Sequence, residues 1–144
     1  MARMAAPPKP LIFIADDDPL VVSLVQLRLS MAGYDVKSAG DGVEALEALN
    51  SLSPSLIILD LEMPRLGGLD TLKHLRNHPR LKATPMLVLT ASADSADVVS
   101  ARRLGAVGYV LKPFKPDLLA QRVNRLTRHN GIVWTDDFGK RRRA

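Results

Sequence analysis

The 144-residue sequence contains no cysteine and no long apolar run. Without thiols the chain can form no disulfide bond, thiolate nucleophile or cysteine metal site. A helix that crosses a bilayer needs about 18 consecutive apolar residues, so we expect no membrane span and no membrane partner. Charged residues and prolines interrupt residues 1–10, which therefore lack the apolar core of a secretory signal peptide. Together these absences predict a cytoplasmic protein.

Length and charge predict one domain followed by a basic segment. A chain of about 150 residues buries roughly two thirds of its surface, which is enough for a self-sufficient core. The net charge is +5. Residues 128–144 hold five basic residues and two acids, a net charge of +3, and residues 1–127 carry the remaining +2. Short basic runs near a chain end are commonly solvated, so nucleic acid is not an expected partner.

Strands and helices are predicted to alternate five times. Apolar runs predict strands at 11–15, 34–39, 55–60, 86–90 and 107–111. Caps, apolar spacing and breaking prolines or glycines predict helices at 19–32, 41–50, 69–77, 95–104 and 116–128. Asp18 before Pro19 indicates a helix cap, and Asp41 with Glu44 has capping-box spacing. Repeated strand–helix units predict an α/β fold, a doubly wound five-stranded parallel sheet with helices on both faces.

The pattern divides the chain into three parts. Residues 1–9 are predicted to be a disordered leader, residues 10–128 the folded domain, and residues 129–144 a tail. The tail has apolar residues at 131–138 but no periodicity, so it is either docked on the domain or disordered. In the last helix, apolar positions 118, 119, 123 and 126 are predicted to face the sheet.

Polar side chains follow four of the five predicted strands. They are Asp16, Asp17 and Asp18 after the first strand, Asp60 and Glu62 after the third, Thr90 after the fourth and Lys112 after the fifth. Because the carboxyl ends of parallel strands meet at one edge of the sheet, we expect these groups to lie together. The predicted site holds several carboxylates, one hydroxyl and one ammonium.

This set of groups suits phosphoryl chemistry. Neighbouring carboxylates disfavour one another's ionisation, and a hard divalent cation with oxygen ligands relieves that repulsion. Mg²⁺ binds one or two carboxylates, keeps waters and completes its shell with a phosphate oxygen. Lys112 supplies a point charge for phosphate, and Thr90 a donor for an oxyanion. Since aspartate is an established nucleophile toward phosphorus, the sequence predicts a metal-assisted phosphoryl-accepting site.

The motifs at these strand ends resemble those of the receiver domain of two-component response regulators. The resemblance covers residues 10 to about 128 and rests on Asp16-Asp17, Asp60-x-x-Met63-Pro64-x-x-x-Gly68, Thr90-Ala91 and Lys112-Pro113-Phe114. Each motif alone is weak, but their order and spacing together are specific. The resemblance implies a flavodoxin-like fold with strand order 2-1-3-4-5.

The resemblance also implies a metal site around a phosphoacceptor. Asp60 would accept the phosphoryl group. Asp17 would ligate Mg²⁺ directly and Asp16 largely through water. Asp60 and the backbone carbonyl of Glu62 would complete the protein ligands.

Other positions would form a switch. Thr90 would bond the phosphoryl oxygen, and Lys112 would pair with Asp60 or its phosphate. Tyr109 matches the aromatic residue that turns inward when the threonine is drawn to the phosphoryl group. Ala91 would leave the site open. The Lys112–Pro113 peptide is expected to be cis, which an X–Pro bond tolerates.

The implied function is that of a phosphorelay protein rather than an enzyme. A histidine kinase or histidine phosphotransfer protein would phosphorylate Asp60, and the protein would assist only its own phosphotransfer and dephosphorylation. The surface around the fifth strand and its flanking helices would then change for contact with an unidentified protein. We expect a stand-alone monomer or weak dimer, with a fragment of a larger multidomain regulator as the alternative.

Two other classes share parts of the pattern. A haloacid-dehalogenase-like phosphatase also uses an aspartate nucleophile and Mg²⁺, but it requires an Asp-x-Asp pair after the first strand and a longer chain. A flavodoxin has this sheet, but three aspartates would repel the flavin phosphate where its binding loop should lie.

Further polar and basic residues flank the predicted site. The Glu62 side chain, Arg65 and Ser92 border it and are expected to tune dephosphorylation. A basic edge flanks the fifth strand and comprises Arg102, Arg103, Lys115, Arg122 and Arg125. This edge either meets an acidic partner or is a solvated face.

Overall fold

The computed structural model describes residues 8–94, 96–128 and 133–143. Residues 1–7 of the predicted leader, position 95 at the predicted start of the fourth helix, and tail residues 129–132 and 144 lie outside the described residues. The described residues form a five-stranded parallel sheet of β1 (Leu11–Ala15), β2 (Asp35–Ala39), β3 (Leu56–Asp60), β4 (Met86–Thr90) and β5 (Gly108–Leu111). The strand order is β2-β1-β3-β4-β5, which confirms the flavodoxin-like order.

Helices cover both faces of this sheet. They are α1 (Pro19–Met31), α2 (Gly42–Leu49), α3 (Gly68–Arg76), α4 (Ala96–Arg103) and α5 (Pro116–Thr127). Buried side chains of α1 and α5 pack on one face, and those of α2, α3 and α4 pack on the other. The predicted doubly wound architecture is therefore correct.

The central strands explain why the sequence folds this way. Every residue of β3 and β4 is buried. Successive side chains of a strand point to opposite faces, so Ile57 and Leu59 enter one helical layer while Leu56 and Ile58 enter the other. A run of consecutive aliphatic residues is what a strand covered on both faces requires.

Side-chain caps fix where two helices begin. Asp18 accepts a hydrogen bond of 2.9 Å from the Leu20 N–H, as expected for the cap of α1. Asp41 accepts one of 2.9 Å from the Glu44 N–H at the start of α2. Glu44 Oε2 accepts a hydrogen bond of 3.0 Å from the N–H of Gly40, one residue before the cap, rather than from the cap itself.

In α5 and α1, some apolar side chains lie in solvent rather than in the core. Leu118 in α5 is 57% exposed, so its predicted contact with the sheet is wrong, whereas Leu119, Val123 and Leu126 are buried. In α1, Val25 and Leu29 are buried, while a second apolar stripe lies in solvent and comprises Leu20, Leu24, Leu27 and Met31. Since α1 is apolar on most sides, its sequence does not indicate which stripe meets the sheet.

The described tail residues form an antiparallel hairpin. Its strands are β6 (Val133–Thr135) and β7 (Arg141–Arg143), with Trp134 opposite Arg142. Asp136 Oδ1 closes the turn by accepting hydrogen bonds from the N–H groups of Phe138 (3.0 Å) and Lys140 (2.9 Å). Strands of three residues are too short to produce a readable periodicity, so no pattern in the sequence indicates them.

No helix among the described residues combines the length and the apolar character needed to cross a bilayer.

Candidate functional site

The carboxyl ends of β1, β3, β4 and β5 bring four predicted side chains to one edge of the sheet. Asp60 is the last residue of β3, and Thr90 the last residue of β4. Asp16 and Lys112 each follow directly after a strand. Asp16 is 1% exposed and Asp60 3% exposed, so both carboxylates are withdrawn from bulk water.

Lys112 joins the two buried carboxylates. Its Nζ lies 2.7 Å from Asp16 Oδ2 and 3.1 Å from Asp60 Oδ2. Burial by itself would lower the pKa of Lys112, but the hydrogen bonds and charges of the two aspartates outweigh burial, and the pKa is raised above its ordinary value. The side chain is therefore a fixed positive charge at neutral pH.

The second oxygen of Asp60 is held by the following loop. Asp60 Oδ1 accepts a hydrogen bond of 3.1 Å from the N–H of Glu62. Burial of Asp60 and the charge of Asp16 raise its pKa, the contacts with Glu62 and Lys112 lower it, and the net result is a pKa of about 6. When Asp60 is ionised, its carboxylate is less hydrated than a carboxylate in water. A further cation beside it would therefore stabilise the ionised form.

A third carboxylate makes the group suitable for a metal ion. One oxygen from each of Asp16, Asp17 and Asp60 can lie within 4.8 Å of the others. Asp17 is exposed, so the cluster opens toward solvent on that side. An all-oxygen donor set with excess negative charge and an open side fits a hard divalent cation of the Mg²⁺ type. The backbone carbonyl of Glu62 stays a predicted ligand.

Thr90 and Tyr109 are near the site but engaged elsewhere. The Thr90 hydroxyl donates a hydrogen bond to the Ser92 carbonyl oxygen and accepts one from the Ser92 N–H, each 3.2 Å. Tyr109 lies opposite Val88 on the neighbouring strand, and its ring stacks on Phe138 with a centroid distance of 6.1 Å. The sequence predicted both positions but neither contact.

The loop after β3 depends on a close backbone approach at Gly68. A Cβ at this position would lie 2.3 Å from the Asp60 carbonyl oxygen, a separation that no side chain tolerates. Glycine therefore lets α3 begin directly beside the strand that ends in Asp60. The Lys112–Pro113 peptide is cis, as expected.

The predicted neighbours of the site take different places. Arg65 has a φ of 65°, and its Nη1 pairs with Asp41 Oδ2 at 3.3 Å, which ties the β3–α3 loop to the start of α2. The side chains of Glu62 and Ser92 are exposed. Their expected influence on dephosphorylation stays a prediction.

Sequence reasoning missed the residues that contact the basic edge. Asp137 pairs with Arg122 and Arg125, and the Arg102 guanidinium lies 5.3 Å from the centre of the Phe138 ring. The only signal was an acid–acid–aromatic triplet at residues 136–138 in a tail with no periodicity. Neither alternative considered for the edge, an acidic partner or a solvated face, included a ligand from the same chain.

The fold and the grouped carboxylates define a class, flavodoxin-like α/β domains with an acidic site at the carboxyl edge of the sheet. Residues 12–124 match the response regulator receiver domain family. The chain belongs to this family and is a receiver domain of the kind found in two-component systems.

Curated relatives share this domain within longer proteins. The chain is 40% identical over 119 residues to the DNA-binding response regulator MtrA of Mycolicibacterium smegmatis, covering 83% of this chain and 51% of MtrA. It is 39% identical over 122 residues to the alkaline phosphatase synthesis transcriptional regulatory protein PhoP of Bacillus subtilis, covering 85% of this chain and 50% of PhoP. The chain thus spans about half the length of these relatives.

A solved structure matches the domain over nearly its whole length. The chemotaxis response regulator CheY4 of Vibrio cholerae is 31% identical, with a TM-score of 0.78, and the match covers 83% of this chain and 99% of CheY4. Its similarity supports both the fold and the family.

Proposed function

We propose that this protein is a Mg²⁺-dependent phosphoacceptor in which Asp60 receives a phosphoryl group from a histidine kinase or a histidine phosphotransfer protein. The observation that supports it most directly is the position of Asp60, buried at the end of the central strand with Lys112 Nζ 3.1 Å away. The family shown for residues 12–124 is consistent with this role.

The transfer itself needs little beyond charge and position. A carboxylate oxygen of Asp60 would form a bond to phosphorus while the bond from phosphorus to the donor imidazole nitrogen breaks. The bonding electron pair stays on that nitrogen, which takes up a proton from solvent. Asp16, Asp17 and Asp60 would hold the Mg²⁺, which neutralises charge on the phosphoryl oxygens when bound.

Lys112 would serve the same site after transfer. The raised pKa keeps its ammonium protonated, so it can pair with the new phosphoryl oxygens while it remains beside Asp16. The role is electrostatic and requires no proton transfer from Lys112. The protein would accordingly assist only its own phosphorylation and dephosphorylation.

Thr90 and Tyr109 would carry the signal away from the site. The Thr90 hydroxyl would exchange its contacts with the Ser92 backbone for a phosphoryl oxygen. Movement of Thr90 would make room for the Tyr109 ring to turn inward. The surface formed by α4, β5 and α5 would change in consequence and would be read by a partner protein.

An exposed apolar surface on α1 supports docking of the phosphodonor. Leu20, Leu24 and Phe114 line a cleft that Lys112 also borders. Leu20 is 65% exposed and Leu24 45% exposed, and a contiguous exposed apolar surface of this kind is typical of an interaction site. A helix of the donor protein that covered this cleft would bring its phosphohistidine to the carboxyl edge of the sheet.

A receiver part of a larger regulator is the second candidate. The observation in its favour is that the chain spans about half of MtrA and PhoP, whose names attribute DNA binding or transcriptional regulation to them. Immunoblotting of the native protein with an antibody against the receiver would decide between the two. A native product of about 16 kDa would support the stand-alone form, and a product about twice as long would support the larger regulator.

Incubation with acetyl phosphate and Mg²⁺ tests the proposed chemistry. One phosphoryl group should be added, as measured by intact-protein mass spectrometry, and EDTA should prevent the addition. Asp60→Asn should abolish incorporation, whereas Asp35→Asn, at an exposed position on β2, should not. Unchanged incorporation in Asp60→Asn would contradict the proposal. Continuous turnover of a phosphomonoester would instead favour the phosphatase.

A further inference from the structure

The hairpin at residues 133–143 lies outside the part of the chain that matches the family, which ends at residue 124. It packs on a surface that we call the α4–β5–α5 face, defined here by Arg102, Tyr109, Arg122 and Arg125. This is the surface that the proposed function assigns to signal output. The contacts between the hairpin and this face are both aromatic and ionic.

The two aromatic residues of the hairpin enter opposite layers of the core. Phe138 packs against the cluster that α2, α3 and α4 share with the sheet, and it stacks on Tyr109 with an interplanar angle of 27°. Trp134 packs against the cluster that α1 and α5 share with the sheet. The hairpin therefore spans the edge of the sheet and contacts both layers.

Asp137 anchors the turn to the helix α5 and to the sheet. Its Oδ2 lies 2.6 Å from Arg122 Nη1, and its Oδ1 pairs with Arg125. Its backbone N–H donates a hydrogen bond of 2.8 Å to the carbonyl oxygen of Val107. The Asp137 side chain is 10% exposed, whereas those of Arg122 and Arg125 are 36% and 54% exposed, so these ion pairs are shielded from solvent mainly on the side of the aspartate.

A second ion pair lies inside the hairpin and extends to the domain. Arg142 Nε lies 2.8 Å from Asp136 Oδ2, and Asp136 is buried. The same guanidinium donates through Nη2 to the Gly105 carbonyl oxygen at 2.9 Å. The charge of Asp136 is thus compensated within the hairpin, which leaves the Asp137 carboxylate as the ligand of α5.

Gly108 shows that the face is fitted to this turn. A Cβ at the first position of β5 would lie 2.2 Å from Asp137 Oδ2 and 2.8 Å from its Cγ. Glycine in a strand has no side chain to pack and is unfavourable there unless another group approaches closely. The close approach here is made by the chain's own aspartate.

We propose that residues 133–143 are an intramolecular ligand of the α4–β5–α5 face, which holds Tyr109 against Phe138 and is displaced when Asp60 is phosphorylated. The displacement rests on the proposed function, since it requires Tyr109 to turn away from Phe138. The contacts further define what this face binds, a segment that carries carboxylates and an aromatic ring. While docked, the hairpin excludes a partner of that chemistry.

Docking of the hairpin and phosphorylation of Asp60 must affect each other reciprocally. If phosphorylation weakens docking, then docking must disfavour phosphorylation by the same free energy. Loss of the docked state should therefore make Asp60 easier to phosphorylate. A hairpin that served only as a static cover would show no such effect.

Trp134 is the only tryptophan of the chain and reports on the hairpin directly. Beryllium fluoride serves here as an analogue of the phosphoryl group on Asp60. Quenching of the Trp134 fluorescence by acrylamide should increase at least about twofold when beryllium fluoride and Mg²⁺ are added to the full chain. Phosphorylation by acetyl phosphate is followed in parallel by mass. If the mass changes and the quenching does not, this inference fails while the proposed function stands. If neither changes, the proposed function fails, and this inference, which rests on it, fails as well.

Variants on both sides of the contact separate release from misfolding. Asp137→Asn in the turn and Arg125→Gln in α5 should each increase acrylamide quenching without beryllium fluoride, and together they should add little to either alone. Each should strengthen the binding of beryllium fluoride in the presence of Mg²⁺ by about fivefold, as measured by isothermal titration. Arg103→Gln, at an exposed neighbour of Arg102, is the control and should change neither. Increased quenching with an unchanged affinity for beryllium fluoride would overturn the proposed coupling.

Discussion

The ammonium nitrogen of Lys112 lies 3.1 Å from Asp60 Oδ2, although 52 positions separate the two residues in the sequence. The same nitrogen lies 2.7 Å from Asp16 Oδ2. One positive charge therefore serves two buried carboxylates, and the site keeps an excess of negative charge. This imbalance makes the site dependent on a further cation.

Asp60→Asn should stabilise the metal-free protein at pH 7.5 but not at pH 4. Burial raises the pKa of Asp60 to about 6 from an ordinary value of 3.8. Between these values the folded chain holds a proton that the unfolded chain has lost, so the free energy of unfolding falls as pH rises through this window. Above pH 6 the full cost of burying the ionised Asp60 carboxylate is present. Its removal in Asp60→Asn should raise the free energy of unfolding by about 2 kcal/mol.

Urea unfolding in EDTA at the two pH values measures this difference. Asp35→Asn, at an exposed position on β2, is the control variant. A gain for Asp60→Asn that is as large at pH 4 as at pH 7.5 would show that the raised pKa of Asp60 is not its source.

Lys112→Ala should destabilise the metal-free protein and increase its response to Mg²⁺. Removal of the ammonium leaves Asp16 and Asp60 buried side by side without a counter-ion, at a cost of about 2 kcal/mol. Thermal unfolding with and without Mg²⁺ should show a larger metal-induced rise in Tm for Lys112→Ala than for the parent. Equal rises would mean that the lysine and the metal do not compensate the same charges.

Asp17→Asn should weaken Mg²⁺ binding by about tenfold or more without a large change in fold stability. Its carboxylate belongs to the acidic cluster but is exposed, so the fold does not depend on its charge. Isothermal titration with Mg²⁺ and urea unfolding in EDTA measure the two quantities separately. Unchanged affinity would remove Asp17 from the metal site.

Gly68→Ala should be far more harmful than Gly67→Ala. A Cβ at position 68 would lie 2.3 Å from the Asp60 carbonyl oxygen, whereas one at position 67 would lie 3.6 Å from the Leu61 carbonyl oxygen, an ordinary contact. We expect a loss of about 2 kcal/mol or more for the first variant and about 1 kcal/mol or less for the second. Urea unfolding of both proteins provides the comparison.

The sheet was predictable because its signals are local. Aliphatic runs such as the one at 56–59 have no alternation and so indicate strands covered on both faces. The carboxyl ends of parallel strands lie at a common edge, which is why the carboxylates, Thr90 and Lys112 could be grouped without coordinates. Asp18 was recognisable as a cap because the hydrogen bond that it makes reaches only two residues along the chain.

The remaining features depend on contacts that a sequence pattern does not encode. Leu118 is exposed although it belongs to an apolar helix face, because the sheet leaves it uncovered. The Thr90 hydroxyl forms a hydrogen bond with the Ser92 backbone. This contact depends on the rotamer of Thr90, which the residue pattern does not indicate. The pairing of Asp137 with α5 joins a short turn to a helix, and neither partner alone indicates the other.

The hydrogen bond from Asp137 to Val107 has a consequence for self-association. β5 is one of the two edge strands of the sheet, and the hairpin covers the chain just before it. An uncovered edge strand offers unpaired N–H and C=O groups to the next molecule that approaches. Release of the hairpin would therefore expose this edge of the sheet to other molecules. The fraction of the released form that stays monomeric would then depend on the protein concentration as well as on phosphorylation.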